Sequence, residues 1–299
     1  MPPFGFRPGP PARLPFPVAP FGGETTRSYL YRLATANLIH PDDLRNHLTG
    51  TRNQTGSVTL AGLAAVTGRS PQGLRYALPE LDPGADVVLK PAHVRRRVCF
   101  RCASRRNAFV FAITWKPVDT VLCGKHRIWL GSRGRSFLDQ QYDVSAVADI
   151  LHAQRRHQLL ARRAGRTIAA LAFTEAAAIT DTWARHGRHH DRRDPLIRAL
   201  AGRYPLTGKL SNGDPRTAVV TYPETVELAH VLADSRWRYP RPATRPAFGS
   251  FGRAVNDMLG IRYRHSTEPY DGLYRWLLQR HSTVNRNHQQ RVQLAPSPS

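Results

Sequence analysis

VCFRCASRRNAFVFAITWKPVDTVLCGKH, residues 98–126, holds every cysteine of a 299-residue chain. Cys99-x2-Cys102 is followed by twenty residues and then by Cys123-x2-His126. Two knuckles of this form can wrap three thiolates and an imidazole around one tetrahedral ion, and zinc suits that donor set. Three cysteines cannot all pair, so a disulfide framework explains them poorly. Four protein ligands close the site, so the expected cofactor is one structural Zn2+ with no catalytic role. Arg95, Arg96, Arg97, Arg105 and Arg106 surround the first knuckle. Their charge favours the thiolate form and makes the knuckle a basic surface. Between the knuckles, FVFAITWKPVDTVL alternates apolar and β-branched residues. It predicts a short β-hairpin in a small zinc-ribbon-like module over 87–137.

Upstream, the fold reads as helical. GGETTRSYLYRLATANLIHPDDLRNHL begins at Gly22, with Thr25 or Thr26 as helix cap and Tyr29, Leu30, Leu33 and Ala36 at helical spacing. Asn37 closes that helix, and Pro41 to Leu48 opens a second with acids in its first turn. In VTLAGLAAVTGRSPQGLRYALPEL, Leu60, Leu63 and Ala64 share a face, Gly68 breaks the helix, and Ser70 and Pro71 start another. Ala64, Gly68 and Leu74 stand at the spacing of a helix-turn-helix. The second helix, Pro71 to Leu78, brings Arg75 as its one cation, which is sparse for base reading. The expected N-terminal domain spans 21–86, behind a proline-rich, disordered tail of 1–20.

Downstream, YDVSAVADILHAQRRHQLLARRAG predicts a helix capped by Asp143 and stopped by Gly165, with Val144, Val147, Ile150 and Leu151 as its stripe. Arg155, Arg156, Arg162 and Arg163 load its second half, as a phosphate-facing stripe or as cations favoured near a helix C-terminus. RTIAALAFTEAAAITDTWARHG and YPETVELAHVLADSRWR predict two more helices. Phe251 to Leu259 and YDGLYRWLLQRH complete a helical domain over 138–285, and 286–299 reads as a loose polar tail. The fold class is therefore mainly α, with the metal module between two helical domains.

Lysine plus arginine number 44 against 21 acids, a net charge of +23. Such a balance suits a polyanion, because neutralised phosphates release their counterions. Arginine far outnumbers lysine, which GC-rich coding also produces. No apolar run reaches the roughly 18 residues of a membrane span. The N-terminus lacks a secretory signal, which makes the reducing cytoplasm the expected compartment.

Catalytic patterns are missing. There is no H-E-x-x-H and no G-x-S-x-G. GRYPLTGKLS (202–211) fails as a phosphate loop because Leu210 follows Lys209. Acids are too sparse for two-metal phosphoryl transfer. RHGRHHDRR (185–193) offers histidines to a metal, but in an arginine-rich run a solvated loop is the stronger reading. These absences favour a binding protein over an enzyme. A nuclease with a dispersed active site is the competing class, and the weak acidic complement argues against it.

GETTRSYLYRLATAN, the segment ending YALPEL, and CFRC followed by CGKH occur in one order, and in that order they resemble the TniQ family. The resemblance covers roughly Phe21 to Leu130. It implies a non-catalytic, DNA-binding or bridging role in transposition target selection, with Cys99, Cys102, Cys123 and His126 as zinc ligands. The implied partners are DNA and a transposase, an AAA ATPase or an RNA-guided complex, and a homodimer stays open. The nucleic-acid candidates are Arg75, Arg95, Arg96, Arg97, Arg105, Arg106, Arg155, Arg156, Arg162 and Arg163. Two features depart from the family pattern. Phe100 stands where many relatives carry proline, and LGSRGRSF lacks the further Cys-x2-Cys that many show. The alternative function is a transcriptional regulator using the same helix-turn-helix and zinc module.

Overall fold

A computed structural model describes residues 12–49, 58–82, 92–108, 112–131, 141–201, 216–239, 248–262 and 271–294. Thirteen α-helices and one two-stranded antiparallel sheet make up the described residues, a mainly α chain with a short hairpin as expected. The expected boundaries at 86/87 and 137/138, the 202–211 segment and residues 240–247 lie outside the described residues. The chain forms two compact units: residues 1–118 with 133–142, and 119–132 with 143–299.

Unit 1 starts with α1 (Thr26–Ala36) and α2 (Pro41–Thr49). Thr25 caps α1 by accepting from Ser28 N, and Asn37 closes it. α3 (Leu60–Thr67) and α4 (Pro71–Ala77) follow, joined through Gly68 at φ 64°. That left-handed turn suits glycine, and Ser70 caps α4. Tyr29, Leu30, Leu33, Leu44, Leu48, Leu63, Val66, Leu74 and Leu78 form one core, with Ala64 packed at its edge. The helix-turn-helix spacing therefore builds a real helix pair. Residues 12–20 are not a free tail. Leu14 N donates to Val66 O, Tyr29 Oη donates to Val18 O, and Phe16 exchanges two hydrogen bonds with the Asn37 amide. Extended backbone rich in proline packs there because Tyr29 of α1, the Asn37 amide and the Val66 carbonyl of α3 supply its hydrogen-bond partners.

The hairpin differs from the expectation. β1 (His93–Arg97) pairs with β2 (Ile113–Pro117), His93 opposite Pro117 and Arg97 opposite Ile113. The sheet thus straddles the first knuckle instead of following it, and the short helix α5 (Phe100–Ser104) lies in the connection. The N-terminal motif adds a third edge through a bridge between Glu24 and Thr114. Trp115 N donates to Gly23 O at 2.6 Å, and a Cβ on Gly23 (φ 78°) would sit 3.0 Å from Trp115 O, so glycine fits this close approach.

Unit 2 is built on α6 (Ala148–Ala164), α7 (Arg166–Arg185) and α10 (Tyr222–Ala233), which pack on one another. α6 begins later than its sequence predicts. Asp143 is not its cap: it bridges Ile128 and accepts from Ser145 N, while Val144 and Val147 are buried ahead of the helix. RHGRHHDRR is not a loop beyond His189, because α8 (His190–Ala201) runs through its last four residues. The short α9 (Thr217–Val220) leads into α10, and Asp234 ends α10 and caps α11 (Ser235–Arg238), splitting one predicted helix in two. α12 (Phe248–Leu259) precedes α13 (Gly272–Leu294), which Asp271 caps by accepting from Leu273 N and Tyr274 N. α13 extends through the expected loose tail to Leu294, since neither glycine nor proline interrupts it after Gly272.

Candidate metal centre and basic surfaces

Local backbone geometry shapes each knuckle. Cys99 is the N-cap residue of α5, and its carbonyl accepts from Ala103 N, so one helical turn carries Cys102. Phe100 N donates to Gln141 Oε1 at 2.9 Å, and Gln141 Nε2 donates to Val98 O at 3.1 Å. A proline at position 100 would have no N–H to give. The departure from the family pattern is thus matched by a glutamine that bonds the backbone on both sides of Cys99.

The second knuckle is a tight reversal. Arg127 N donates to Cys123 O, Cys123 N donates to Ile128 O, and Arg127 takes φ 51°. Leu122 bridges Trp129, whose buried indole meets Tyr222 edge-on at 5.1 Å. Gln154 on α6 holds the same segment, accepting from Val121 N and donating to Asp119 O.

The donor atoms of Cys99, Cys102, Cys123 and His126 all lie within 4.8 Å of one another. Cys123 Sγ stands 3.7 Å from His126 Nδ1. Tetrahedral zinc with bonds of about 2.3 Å to sulfur and about 2.0 Å to nitrogen puts that edge at about 3.5 Å. Three thiols and one imidazole thus fit a metal ion, and Cys99 is buried at 3% exposure.

The candidate arginines fall into three groups. Arg95, Arg105 and Arg106 are exposed, and Arg97 is half-buried. Arg95 lies over the Trp115 ring at 5.6 Å and Arg106 over Phe21 at 4.7 Å, each leaving a solvated edge. Arg96 is a correction. Its side chain is 1% exposed and donates to Val118 O, because strand alternation turns the middle of three arginines inward. Arg75 is half-exposed and paired with Asp82 at 3.1 Å. On α6, Arg155, Arg162 and Arg163 are exposed, whereas Arg156 is held by Glu227 at 3.2 Å.

Sequence reasoning missed the carboxylates that tie the elements together, two of them buried. Glu24 is fully buried and accepts from Phe21 N, Ser28 Oγ and both Nε and Nη2 of Arg32. Ser28 Oγ accepts in turn from Ile113 N. These contacts explain the Glu-Thr-x-x-Ser-Tyr-Leu-x-Arg pattern in physical terms: Glu24, Ser28 and Arg32 recur one helical turn apart. Glu80 accepts from Thr26 N at 2.8 Å and from Trp115 Nε1 at 2.6 Å. In unit 2, Glu224 accepts from Arg193 Nε and Nη2, and its carboxyl is pushed up by burial against the opposing pull of Arg193. Glu175 accepts from Arg238, Trp276 and Arg280.

No described helix is long and apolar enough to cross a membrane. Comparison with known proteins found no match among curated proteins and none among solved structures. The model of the family described as TniQ matches residues 15–130. The matched stretch runs from the N-terminal approach, through the Glu24–Arg32 motif and the helix pair, to the end of the second knuckle, and over that stretch the chain is similar to the TniQ family.

Proposed function

We propose that the chain is a non-catalytic, DNA-binding adaptor of the TniQ type that takes part in choosing where a transposon inserts. The carrying observation is that one continuous match, residues 15–130, contains both the helix pair and all four metal-donor residues. Cys99, Cys102, Cys123 and His126 would hold one zinc ion, which fixes the knuckles and leaves no open position for chemistry. The exposed arginines around the first knuckle then present positive charge to a phosphate backbone. Arg75, tied to Asp82 on a helix with one cation, contributes little base discrimination in this reading. Sequence choice then rests with a partner of the transposition machinery or with other surfaces of the chain.

Two measurements test this reading. Protein purified without added zinc should carry about one zinc per chain by mass spectrometry. A stoichiometry near zero removes the metal assignment. Affinity for duplex DNA, titrated against salt, should fall with a steep negative log–log slope. No binding at low salt would overturn the DNA-binding role.

A further inference from the structure

Unit 2 pairs five of its acids with its own arginines. Glu227 pairs with Arg156 at 3.2 Å and with Arg192 at 2.9 Å, and Glu224 with Arg193 at 2.7 Å. Glu175 holds Arg238 and Arg280, Asp234 holds Arg236, and Asp181 holds Arg185. Several exposed arginines are left out of this scheme, and four of them cluster on adjacent helices. Arg155, Arg162 and Arg163 on α6 and Arg166 at the start of α7 are exposed, and no carboxylate among the described residues reaches them. The sequence explains why: from Ile150 to Thr174 there is no aspartate or glutamate. Ordinary surfaces intersperse both signs, so four uncompensated arginines in twelve residues mark a surface that a polyanion completes.

We infer that these four residues form a phosphate track for the backbone of duplex DNA, in which Arg166 takes part and Arg156 does not. The inference rests on the DNA-binding reading above and locates the contact in unit 2. Arg155 and Arg162 stand two turns apart, about 10 Å along the axis, so separate phosphates serve them. Arginine's planar fork matches phosphate oxygens, which favours it over lysine at such contacts. Single strands are gripped by stacking bases on aromatic rings, and α6 has none except histidines, of which His157 is buried against Phe173. That lack selects duplex over single-stranded nucleic acid. Arg156 is excluded because Glu227 already neutralises it and Met258 Sδ accepts from its Nη2 at 3.2 Å.

The test compares the full chain with a variant carrying Arg155→Gln, Arg162→Gln, Arg163→Gln and Arg166→Gln on a mixed-sequence duplex. The salt slope should become shallower by about 0.9 per residue, or roughly 3 to 4 for the set, whatever the duplex sequence. The same four positions changed to lysine should keep the slope, because counterion release follows charge. Arg185→Gln with Arg236→Gln, two exposed arginines with aspartate partners, should leave it unchanged. A wild-type slope in the glutamine variant overturns the track while leaving DNA binding intact. Failure of the wild-type chain to bind duplex at low salt overturns the DNA-binding reading itself. Tighter binding of double-stranded or single-stranded RNA than of DNA, lost in the glutamine variant, overturns the choice of occupant. Thermal melting of each variant checks that the fold persists, and Arg155→Gln with Arg166→Gln, expected to make the slope shallower by roughly half as much, keeps the test open if the set of four unfolds.

Discussion

Each unit buries a glutamate against an arginine, and the two pairs are built differently. In unit 1, Glu24 and Arg32 have side chains 0% and 4% exposed and meet at 2.7 Å. Both oxygens of Glu24 are fully used, two bonds coming from Arg32 and two from Phe21 N and Ser28 Oγ. In unit 2, Glu224 and Arg193 are 5% and 4% exposed and also meet at 2.7 Å. There Arg193 gives two bonds to Oε2 and a third to Arg188 O, and Oε1, buried, has no hydrogen-bond partner among the described residues. Distance and burial are the same, so what differs is the number of donors facing the carboxylate. A buried charge is tolerated when its lone pairs are satisfied, and partial satisfaction leaves desolvation uncompensated. Glu24 is part of a backbone junction, whereas Glu224 is a countercharge.

The largest expected effect breaks the first pair. Arg32→Met leaves Glu24 buried without its cation and should lower stability by about 3–5 kcal/mol in urea unfolding. The next sharpens the contrast by replacing both partners. Glu24→Met with Arg32→Leu still orphans Phe21 N and Ser28 Oγ, at about 1–3 kcal/mol each. Glu224→Met with Arg193→Leu orphans no comparable donor of Glu224 and should stay within about 1 kcal/mol of wild type. Equal losses in the two doubles would refute the distinction.

A smaller pair of changes should erase it. Thr25→Ala and Asp271→Ala each remove one helix cap, one per unit, and each should lose about 1 kcal/mol.

The pH response should separate the units again. Tyr29 is pushed up from 10.0 to about 12 by burial. A raised folded value contributes stability present below pH 10 and lost as pH rises between 10 and 12. Tyr29→Phe should abolish that alkaline slope. His189 and His230, both in unit 2, are pushed below 6.5 by burial and by neighbouring arginines. Their contribution is present above pH 6.5 and lost as pH falls below it. His230→Gln should flatten the acid limb of a thermal-melt series, and an unchanged limb would show that His230 carries none of it.

Legibility in the sequence follows the distance over which each element is stabilised. Thr25, Gly68 and Ser70 act within four residues and could be read directly as caps and a stop. The four metal donors could be read because knuckle spacing is local in each half. α8 could not: its anchors, Arg193 to Glu224 and Arg192 to Glu227, span 31 and 35 residues, and the His- and Arg-rich run holding Pro195 looks like a loop. Asp143 was a plausible cap whose backbone was drawn into a bridge with Ile128. The burial of Arg96 was legible in principle. Once His93 to Arg97 is read as a strand, period-two alternation assigns the middle arginine to the inner face. The triplet of like charges hid that strand.

The two hydrogen bonds of Glu80 have a mechanical consequence. This carboxylate leaves the end of the helix pair and grips the first amide of α1 with one oxygen and the Trp115 indole on β2 with the other. A chain exit is where a small helical module ordinarily swivels, and here that pivot is pinned at two points by one side chain. A force applied to α4 is therefore passed through Glu80 to the start of α1 and to the hairpin, so the helix pair behaves as a lever arm instead of a pendant.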